Sequence, residues 1–210
     1  MSPPRTDQPV FLIVAGPNGS GKSSVYRDTE FELEGRTLWI VNPDLLTERI
    51  QAAERQSLAD ANLSAVQRIE RWLEASIEVH KSIGVETVLS TGKYRRLVAK
   101  AKELGFAVWL LYVVLDTPER NIERVRLRVE KGGHDVPEDK IRSRRESSLR
   151  QFPWFLDGAD AAWIYDNSGA SPRRIGQKRD GVVEMDANAL TFVIEAVRTI
   201  ADPDAKPEAT

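Results

Sequence analysis

The sequence predicts an α/β fold with a central, mostly parallel five-stranded sheet and helices packed on both of its faces. Two observations support this prediction. Residues 10–15 form a continuous apolar run, VFLIVA, which is typical of a strand buried on both faces of a parallel sheet. Short apolar runs then alternate along the chain with amphipathic segments, and this order favours strand–helix–strand units in a three-layer arrangement.

Each element is predicted from its own pattern. The strands are short apolar runs at residues 10–15, 37–41, 85–89, 106–115 and 161–165. The helices have apolar residues three and four positions apart, at residues 23–30, 45–83, 95–104, 119–130 and 187–200, and another helix begins near Lys140. Asp180-Gly181, between residues 173–178 and 182–185, predicts a small hairpin after the fifth strand.

Length and composition limit the organisation of the chain. A chain of 210 residues, of which 41% are hydrophobic, is long enough for one domain with a sizeable core, which we place at residues 10–201. The ends, residues 1–9 and 202–210, are polar, contain prolines and lack periodicity. We expect both ends to be disordered tails.

Charge and cysteine content exclude several classes of function. The net charge of -2 provides no general attraction to nucleic acid or to anionic lipid, so we expect neither as a partner. The absence of cysteine excludes disulfides and thiolate metal sites. No apolar run approaches the roughly 18 residues of a membrane span, and residues 1–9 do not have the pattern of a secretory signal. We expect a cytoplasmic protein.

A phosphate-binding motif follows the first predicted strand. Residues 16–23 read GPNGSGKS, which fits G-x-x-x-x-G-K-[ST] between a strand and a helix, the context of a P-loop. Glycines let backbone N–H groups converge on phosphate oxygens, Lys22 supplies a positive charge to the β- and γ-phosphates, and the Ser23 hydroxyl ligates Mg²⁺. We therefore expect ATP and Mg²⁺ as cofactors. The residues expected to bind them are Gly16, Asn18, Gly19, Ser20, Gly21, Lys22, Ser23 and Ser24.

Polar residues near the ends of two other strands are candidates for the acceptor site. Asp44 follows the second strand and precedes a helix, where it is either a carboxylate near the γ-phosphate or a helix N-cap. Glu86 opens the third strand, and its alternative is an exposed position at the strand edge. Thr91 and Lys93 follow that strand at its carboxyl end. We expect these four residues to bind the substrate.

Two arginine-bearing helices joined by Gly132-Gly133 predict a lid. Arg120, Arg124 and Arg128 recur every fourth residue, so they share one helix face, which is either a solvated surface or part of the site. A second basic segment, which includes Arg144, follows the glycines. A lid at about residues 124–145 would bring guanidinium groups to the transferring phosphate. His134 is interpreted as support for the turn rather than as a base.

The chain resembles the zeta-toxin-like P-loop kinases from about residue 10 to residue 168. The order and spacing of several blocks carry the resemblance: residues 16–23, Asn42-Pro43-Asp44, ETVLST at 86–91, the pairs at 124–125 and 128–129, GGHDVP at 132–137, and Asp166-Asn167-Ser168. The ETVLST and GGHDVP blocks are those of a side branch of the family. The resemblance implies a P-loop NTPase fold similar to that of nucleoside-monophosphate kinases.

The same resemblance implies a function and roles for residues. Zeta toxins phosphorylate a sugar hydroxyl of UDP-N-acetylglucosamine, and an antitoxin partner blocks their ATP site. By resemblance, Asp44 is the base that faces the acceptor hydroxyl and Glu86 helps to hold the acceptor. Arg128 and Arg144 are the lid charges, with Arg124 as the competitor of Arg128 for the first of these positions.

The residues leave alternative functions open. Another sugar, a nucleoside or a polynucleotide end could replace the sugar nucleotide as acceptor. An ATP-gated binding module, which uses nucleotide to order its lid and to signal to a partner, is the alternative from another class.

Overall fold

Seven strands form one sheet in the described part of the chain, residues 8–28 and 38–201 of a computed structural model. They are β1 (Val10–Ala15), β2 (Ile40–Val41), β3 (Ile83–Thr87), β4 (Ala107–Val114), β5 (Ala161–Asp166), β6 (Arg173–Arg179) and β7 (Val182–Met185). Their order in space is β2-β3-β1-β4-β5-β6-β7. The strands β1 to β5 pair in parallel, as predicted for an α/β fold.

The prediction of five strands is wrong, because the predicted hairpin is part of the sheet. The strand β6 pairs antiparallel with β5, and β7 pairs antiparallel with β6. The turn between them has positive φ at Asp180 (51°) and Gly181 (78°), which suits a two-residue hairpin. Pairing with β6 satisfies the backbone groups that β5 would otherwise expose as an edge strand.

Seven helices accompany the sheet within the described residues. They are α1 (Lys22–Asp28), α2 (Pro43–Glu54), α3 (Leu58–Glu78), α4 (Arg95–Glu103), α5 (Pro118–Glu130), α6 (Glu138–Gly158) and α7 (Thr191–Ala201). The region predicted as one helical stretch, residues 45–83, contains α2 and α3. The break occurs where Arg55 adopts a left-handed φ of 52° and Ser57 caps α3 by accepting a hydrogen bond from the Asp60 amide.

Some predictions lie outside the described residues. Residues 29–37, 1–7 and 202–210 are not described, so the end of the first predicted helix, the start of the second predicted strand and most of the predicted tails lie outside them. None of the described helices is both long and apolar enough to cross a bilayer.

The core lies on both faces of the sheet. Phe11 and Ile13 of β1 pack in one apolar cluster with residues of α3, α4, α6 and α7, for example Leu73 and Phe152. The side chain of Leu12 points to the other face, where it packs in a second cluster with Val25 of α1. All six residues of β1 are buried, which is why this strand reads as an unbroken apolar run.

The sheet topology determines where polar residues meet. The strand β1 is flanked by β3 and β4, and all three run in the same direction. Their carboxyl ends therefore reach one edge of the sheet, where the segments before α1 and α4 and after β4 lie side by side.

Candidate functional site

The loop between β1 and α1 carries glycines where the backbone requires them. Gly16, Gly19 and Gly21 have φ angles of 146°, 73° and 82°, a range that other residues rarely adopt. A Cβ atom on Gly16 would lie 2.1 Å from the carbonyl oxygen of Val113 in β4, and one on Gly19 would lie 2.4 Å from the carbonyl oxygen of Asn121 in α5. The loop is thus packed tightly against two neighbours and leads into the N-terminus of α1, the arrangement that binds phosphate.

Lys22, the first residue of α1, is buried with an exposed fraction of 8%. Its Nζ donates hydrogen bonds to the carbonyl oxygens of Gly16 (2.8 Å) and Pro17 (3.2 Å), and it lies 4.0 Å from Oε1 of Glu86. Burial lowers the pKa of Lys22, whereas the carboxylates of Glu86 and Asp44 oppose this effect. The ammonium group therefore lies among oxygen acceptors, and phosphate oxygens are chemically suited to replace them.

Glu86 faces this loop rather than solvent, which excludes the alternative of an exposed strand-edge carboxylate. It is half-buried near the carboxyl end of β3. Its Oε2 accepts hydrogen bonds from Ser23 Oγ (3.0 Å), Asn42 Nδ2 (2.9 Å) and the Tyr26 hydroxyl (3.3 Å). The carboxylate thus lies directly beside the hydroxyl that the motif assigns to Mg²⁺.

Asp44 is not the N-cap of α2. That position belongs to Asn42, whose Oδ1 accepts hydrogen bonds from the backbone amides of Asp44 (2.9 Å) and Leu45 (3.3 Å). Pro43 is the first helical residue, a favourable place for a residue without an amide hydrogen. The Asn-Pro-Asp block therefore starts the helix with Asn42 and leaves the carboxylate of Asp44 available for another role.

Two cavities meet beside Asp44. The first, of about 340 Å³, is called the phosphate cavity because Gly19 and Lys22 line it. The second, of about 490 Å³, is called the α2 cavity because Asp44, Thr47, Glu48 and Gln51 of that helix line it. Residues that line both cavities are Asn18, Asp44, Asn62, Val88 and Arg144. The side chain of Asp44 is exposed at this junction.

The phosphate cavity brings together nine of the residues predicted for the site. They are Asn18, Gly19, Lys22, Asp44, Glu86, Thr91, Lys93, Arg128 and Arg144. The remaining predicted residues, Gly16, Ser20, Gly21, Ser23, Ser24 and Arg124, are absent from the described lining of either cavity. Five of these belong to the P-loop and the first turn of α1, where backbone amides are expected to face a bound phosphate and where the motif assigns the Ser23 hydroxyl to Mg²⁺.

The structure separates the two competing arginines of α5. Arg128 lines the phosphate cavity, and its Nη2 donates a hydrogen bond of 2.7 Å to the carbonyl oxygen of His134. Arg124 instead donates from Nη2 to the carbonyl oxygen of Asn167 (2.6 Å), and a Cβ atom on Gly21 would lie 3.3 Å from its Nη1. Arg128 and Arg144 thus share a cavity, whereas Arg124 lies against the end of the P-loop. His134 takes part in this contact only through its backbone carbonyl oxygen, so its interpretation as support for the turn stays a prediction.

Three residues at the site were not assigned a role from the sequence. Asn121 donates from Nδ2 to the carbonyl oxygen of Asn18 (2.7 Å), and Asn167 donates from Nδ2 to the carbonyl oxygen of Ser20 (2.9 Å). Both asparagines are buried, as is Arg145, which contacts Asn121. The sequence offered one signal for Asn121: it is a polar residue directly before the apolar stripe of its helix, a place that is often buried.

The side chains beside the P-loop suit a metal ion that is held mainly by the phosphates of a bound nucleotide. Residues 8–28 and 38–201 contain no group of three or more His, Cys, Asp or Glu that could hold a metal ion. Mg²⁺ in nucleotide sites is commonly bound by one or two protein oxygens together with phosphates and water. The Ser23 hydroxyl and the adjacent Glu86 carboxylate fit that requirement.

Comparison with known proteins places these features in context. A family model described as "Zeta toxin" matches residues 1–163. An uncharacterised protein of Haemophilus influenzae is 29% identical over 133 residues, which are 63% of this chain and 90% of that protein. Since the family match spans more than half of the chain, the sequence relationship does not depend on the P-loop alone.

Solved structures share the fold. A chain in the crystal structure of AvrRxo1-ORF1:-ORF2 with ATP has a TM-score of 0.68 at 16% identity, and the match covers 97% of this chain but 66% of that one. This chain therefore spans slightly less than two thirds of the AvrRxo1 chain. A chain of the PezAT toxin–antitoxin system of Streptococcus pneumoniae has a TM-score of 0.57 at 17% identity, with coverage of 92% and 78%.

Proposed function

The chain belongs to the zeta toxin family of P-loop kinases, and we propose that it transfers the γ-phosphate of ATP to a hydroxyl group of a small-molecule acceptor. The observation that carries this proposal is the position of Asp44 where the phosphate cavity and the α2 cavity meet. A carboxylate at such a junction can accept a proton from a hydroxyl group on one side while phosphate leaves ATP on the other.

ATP is proposed to bind with its triphosphate along the P-loop. Its phosphate oxygens would replace the carbonyl oxygens of Gly16 and Pro17 as acceptors for the Lys22 ammonium group. The backbone amides of residues 18–23 then face the phosphates at the N-terminus of α1. This binding mode explains why Lys22 is buried although it carries a charge.

Mg²⁺ is proposed to bind beside Ser23, with Glu86 as the adjacent carboxylate. Ser23, supported by Glu86, would hold the ion together with the nucleotide, and the ion would supply positive charge that offsets the charge of the phosphates. Glu86 orients the Ser23 hydroxyl through its 3.0 Å hydrogen bond, and Asn42 and Tyr26 fix Glu86 in turn. The role of Glu86 in holding the acceptor, which the family resemblance implied, is compatible with its place in the phosphate cavity.

The lid arginines are proposed to stabilise the transferring phosphate. Arg128 and Arg144 come from different helices, α5 and α6, and line the same cavity as Lys22. Guanidinium groups that converge on the equatorial oxygens of the γ-phosphate lower the energy of the transition state more than that of the bound ATP. Arg124, against the end of the P-loop, would act on the nucleotide further from the reacting phosphate.

The α2 cavity is proposed to hold the acceptor. Side chains with amide, hydroxyl and carboxylate groups line it, among them Thr47, Glu48, Gln51 and Asn62, and these suit hydrogen bonds to sugar hydroxyls. Thr91 and Lys93 in the phosphate cavity could bind an acceptor phosphate. A sugar nucleotide, with UDP-N-acetylglucosamine as the first candidate, combines both groups. We place this reaction in the cytoplasm.

The test is acceptor-dependent release of ADP. The purified chain with ATP and Mg²⁺ would be assayed with UDP-sugars, free sugars, nucleosides and oligonucleotides with free 5′ ends, with Lys22→Ala as the control for contaminating enzymes. The expected result is ADP release and one added phosphate per acceptor with a sugar nucleotide. Tight ATP binding without acceptor-dependent ADP release across the panel would favour the ATP-gated binding module.

A protein partner of the antitoxin type is also proposed. The AvrRxo1 structure contains two proteins, and PezAT is a toxin–antitoxin system. If this chain has such a partner, the partner should bind tightly and compete with ATP. Measuring ATP affinity with and without a candidate partner protein tests this, and unchanged affinity together with separate elution of the two proteins contradicts it.

A further inference from the structure

A chain of buried hydrogen bonds connects α6 to the P-loop. Arg145 of α6 donates from Nε to Oδ1 of Asn121 in α5, at 3.3 Å. Asn121 in turn donates from Nδ2 to the backbone carbonyl oxygen of Asn18, at 2.7 Å. The amide of Asn121 thus uses its oxygen for the helix that carries Arg144 and its nitrogen for the loop that binds phosphate.

Burial makes these contacts costly to lose. Asn121 is 0% exposed and Arg145 is 8% exposed, so water cannot readily replace a missing partner. Arg145 also donates from Nη2 to the carbonyl oxygens of Leu115 (2.8 Å) and Asp116 (3.2 Å), just after β4. Its guanidinium group lies 4.8 Å from the centre of the Phe192 ring in α7. Arg145 is therefore held on several sides.

The fixed position of Arg145 determines where its neighbour points. Consecutive residues of an α-helix are about 100° apart around the axis, so a helix whose Arg145 is anchored inward directs Arg144 to an adjacent face. Arg144 is exposed and lines both cavities. The same contacts that hold the P-loop thus also set the direction of a lid arginine.

Asn18, at the other end of the chain of contacts, has an unpaired group at the site. Its side chain is 6% exposed, its Oδ1 has no hydrogen-bond partner, and it lines both cavities. A buried polar atom without a partner beside a cavity indicates a ligand contact. The backbone of Asn18 is therefore held at a point where small displacements would change the contact with bound molecules.

We propose that Asn121 and Arg145 are positioning residues. They keep the P-loop at Asn18 and the lid arginine Arg144 in a fixed position relative to each other. The inference rests on the proposed transfer of phosphate, because it explains how the two sides of that site keep their relative positions. It assigns neither residue a contact with substrate. Its tests depend on ATP binding and on backbone protection, so they can be carried out whether or not an acceptor is known.

The experiment compares Asn121→Ala and Arg145→Lys with Ser148→Ala. The control residue Ser148 lies on the same helix, is fully buried and shares a 3.0 Å hydrogen bond with the Tyr112 hydroxyl, but it has no contact with Asn121 or the P-loop among its hydrogen bonds. For each variant one would measure the ATP dissociation constant, amide hydrogen exchange of residues 16–24, and the melting temperature.

We expect ATP affinity to fall about tenfold in Asn121→Ala and in Arg145→Lys, with faster exchange in the P-loop. Lysine keeps the charge of Arg145 but cannot reach Asn121 and Leu115 together, since it lacks the planar fork. Ser148→Ala should lower the melting temperature without either effect. The double variant should bind ATP no more weakly than Asn121→Ala, because Arg145 acts on the P-loop through Asn121, in series with it.

The proposal is overturned if the Asn121 and Arg145 variants bind ATP within about twofold of Ser148→Ala at a similar melting temperature. They would then be structural residues only. If Asn121→Ala fails to fold, Arg145→Lys alone tests the proposal, because this variant keeps a cation in the buried site and should therefore fold. Additive effects of the two substitutions on ATP affinity would also contradict action in series.

Discussion

Lys22 is the residue whose role the sequence predicted with the most specific motif. Its two hydrogen bonds to loop carbonyl oxygens show that the ammonium group reaches the mouth of the loop. Removing it should leave the fold intact, because its recorded polar contacts are to loop carbonyl oxygens and to Glu86 at the site, but charge on the γ-phosphate would no longer be neutralised. We predict that Lys22→Ala lowers phosphate transfer by about 10² to 10³-fold. Turnover at the wild-type rate with an unchanged melting temperature would contradict this prediction.

Asp44 allows a sharper test now that Asn42 is known to cap α2. Asp44→Asn removes the carboxylate that would accept the hydroxyl proton, whereas the N-cap and the size of the side chain are kept. We predict a loss of about 10² to 10⁴ in transfer rate, with ATP affinity and melting temperature unchanged. A loose transition state would bring the loss toward the lower end, since little proton transfer precedes departure of the phosphate.

Asn42→Ala is the comparison for the effect of Asp44→Asn on stability, since it removes the helix cap that Asp44→Asn keeps. It removes the cap and the 2.9 Å hydrogen bond to Glu86, so it should cost about 1 kcal/mol of stability. Full transfer activity in Asp44→Asn would remove Asp44 from the mechanism. A large loss of stability in that variant would instead give Asp44 a structural role.

At the residue scale, motifs in the sequence named residues that the structure brings into one cavity. Lys22, Asp44, Glu86 and Arg128 were named from motifs, and all four line one cavity. The sequence did not indicate a role for Asn121 and Arg145, because their contacts are with residues far away in the chain. In addition, an arginine or asparagine within a helix usually faces solvent. Only the packing of α5 and α6 against the P-loop reveals them.

At the scale of elements, α6 combines two environments. Its first part, including Ile141, packs with Ile122 and Val125 in a small apolar cluster apart from the main core. Its later part places Phe152 and Phe155 in the core beneath the sheet. The anchored Arg145 lies between these parts, so the lid, predicted at residues 124–145, would have its fixed end at this residue.

We predict that ATP and Mg²⁺ slow amide hydrogen exchange at residues 131–144, by about tenfold or more, but not beyond Ser148. The reason is that Arg128 and Arg144 gain phosphate contacts, and these order the segment between them, where Gly132 has a φ of 86° and nothing lies within 4 Å of the position of a Cβ atom. Protection confined to residues 16–24 would contradict a lid. Arg142→Gln, which removes a surface ion pair with Glu119, serves as a control that should not alter the response.

The bounds of helices and strands were predicted correctly where the local sequence determines them and not where distant contacts do. The strand β1 has the predicted bounds, because its apolar run ends at the glycine that starts the P-loop. The break between α2 and α3 was missed, since Arg55 in a left-handed conformation has no strong signal in the sequence. The hairpin was predicted from Asp180-Gly181, whereas its addition to the sheet depends on the free edge of β5, which the local sequence does not reveal.

At the scale of the whole molecule, the order of the strands explains why the site could be assembled from separate motifs. The strands β3, β1 and β4 lie side by side and parallel. Glu86 lies near the carboxyl end of β3, the P-loop follows β1 and the start of α5 follows β4, so these groups must meet at one edge of the sheet. The size and direction of the cavities could not be predicted in this way, because they depend on how α2, α3 and α6 close over that edge.

The two cavities together predict a kinetic mechanism. They share five lining residues, so ATP in the phosphate cavity and an acceptor in the α2 cavity would be bound at the same time and in contact. We therefore predict direct transfer in a ternary complex, with initial-rate lines that intersect when both substrates are varied and with inversion at a chirally labelled γ-phosphate.

Asp44 is also the residue that could be phosphorylated in a two-step mechanism, and that mechanism would give parallel lines, retention of configuration and exchange of label between ATP and ADP without acceptor. Asp44→Asn should then lose exchange and transfer together, whereas in direct transfer the wild-type enzyme shows no exchange at all.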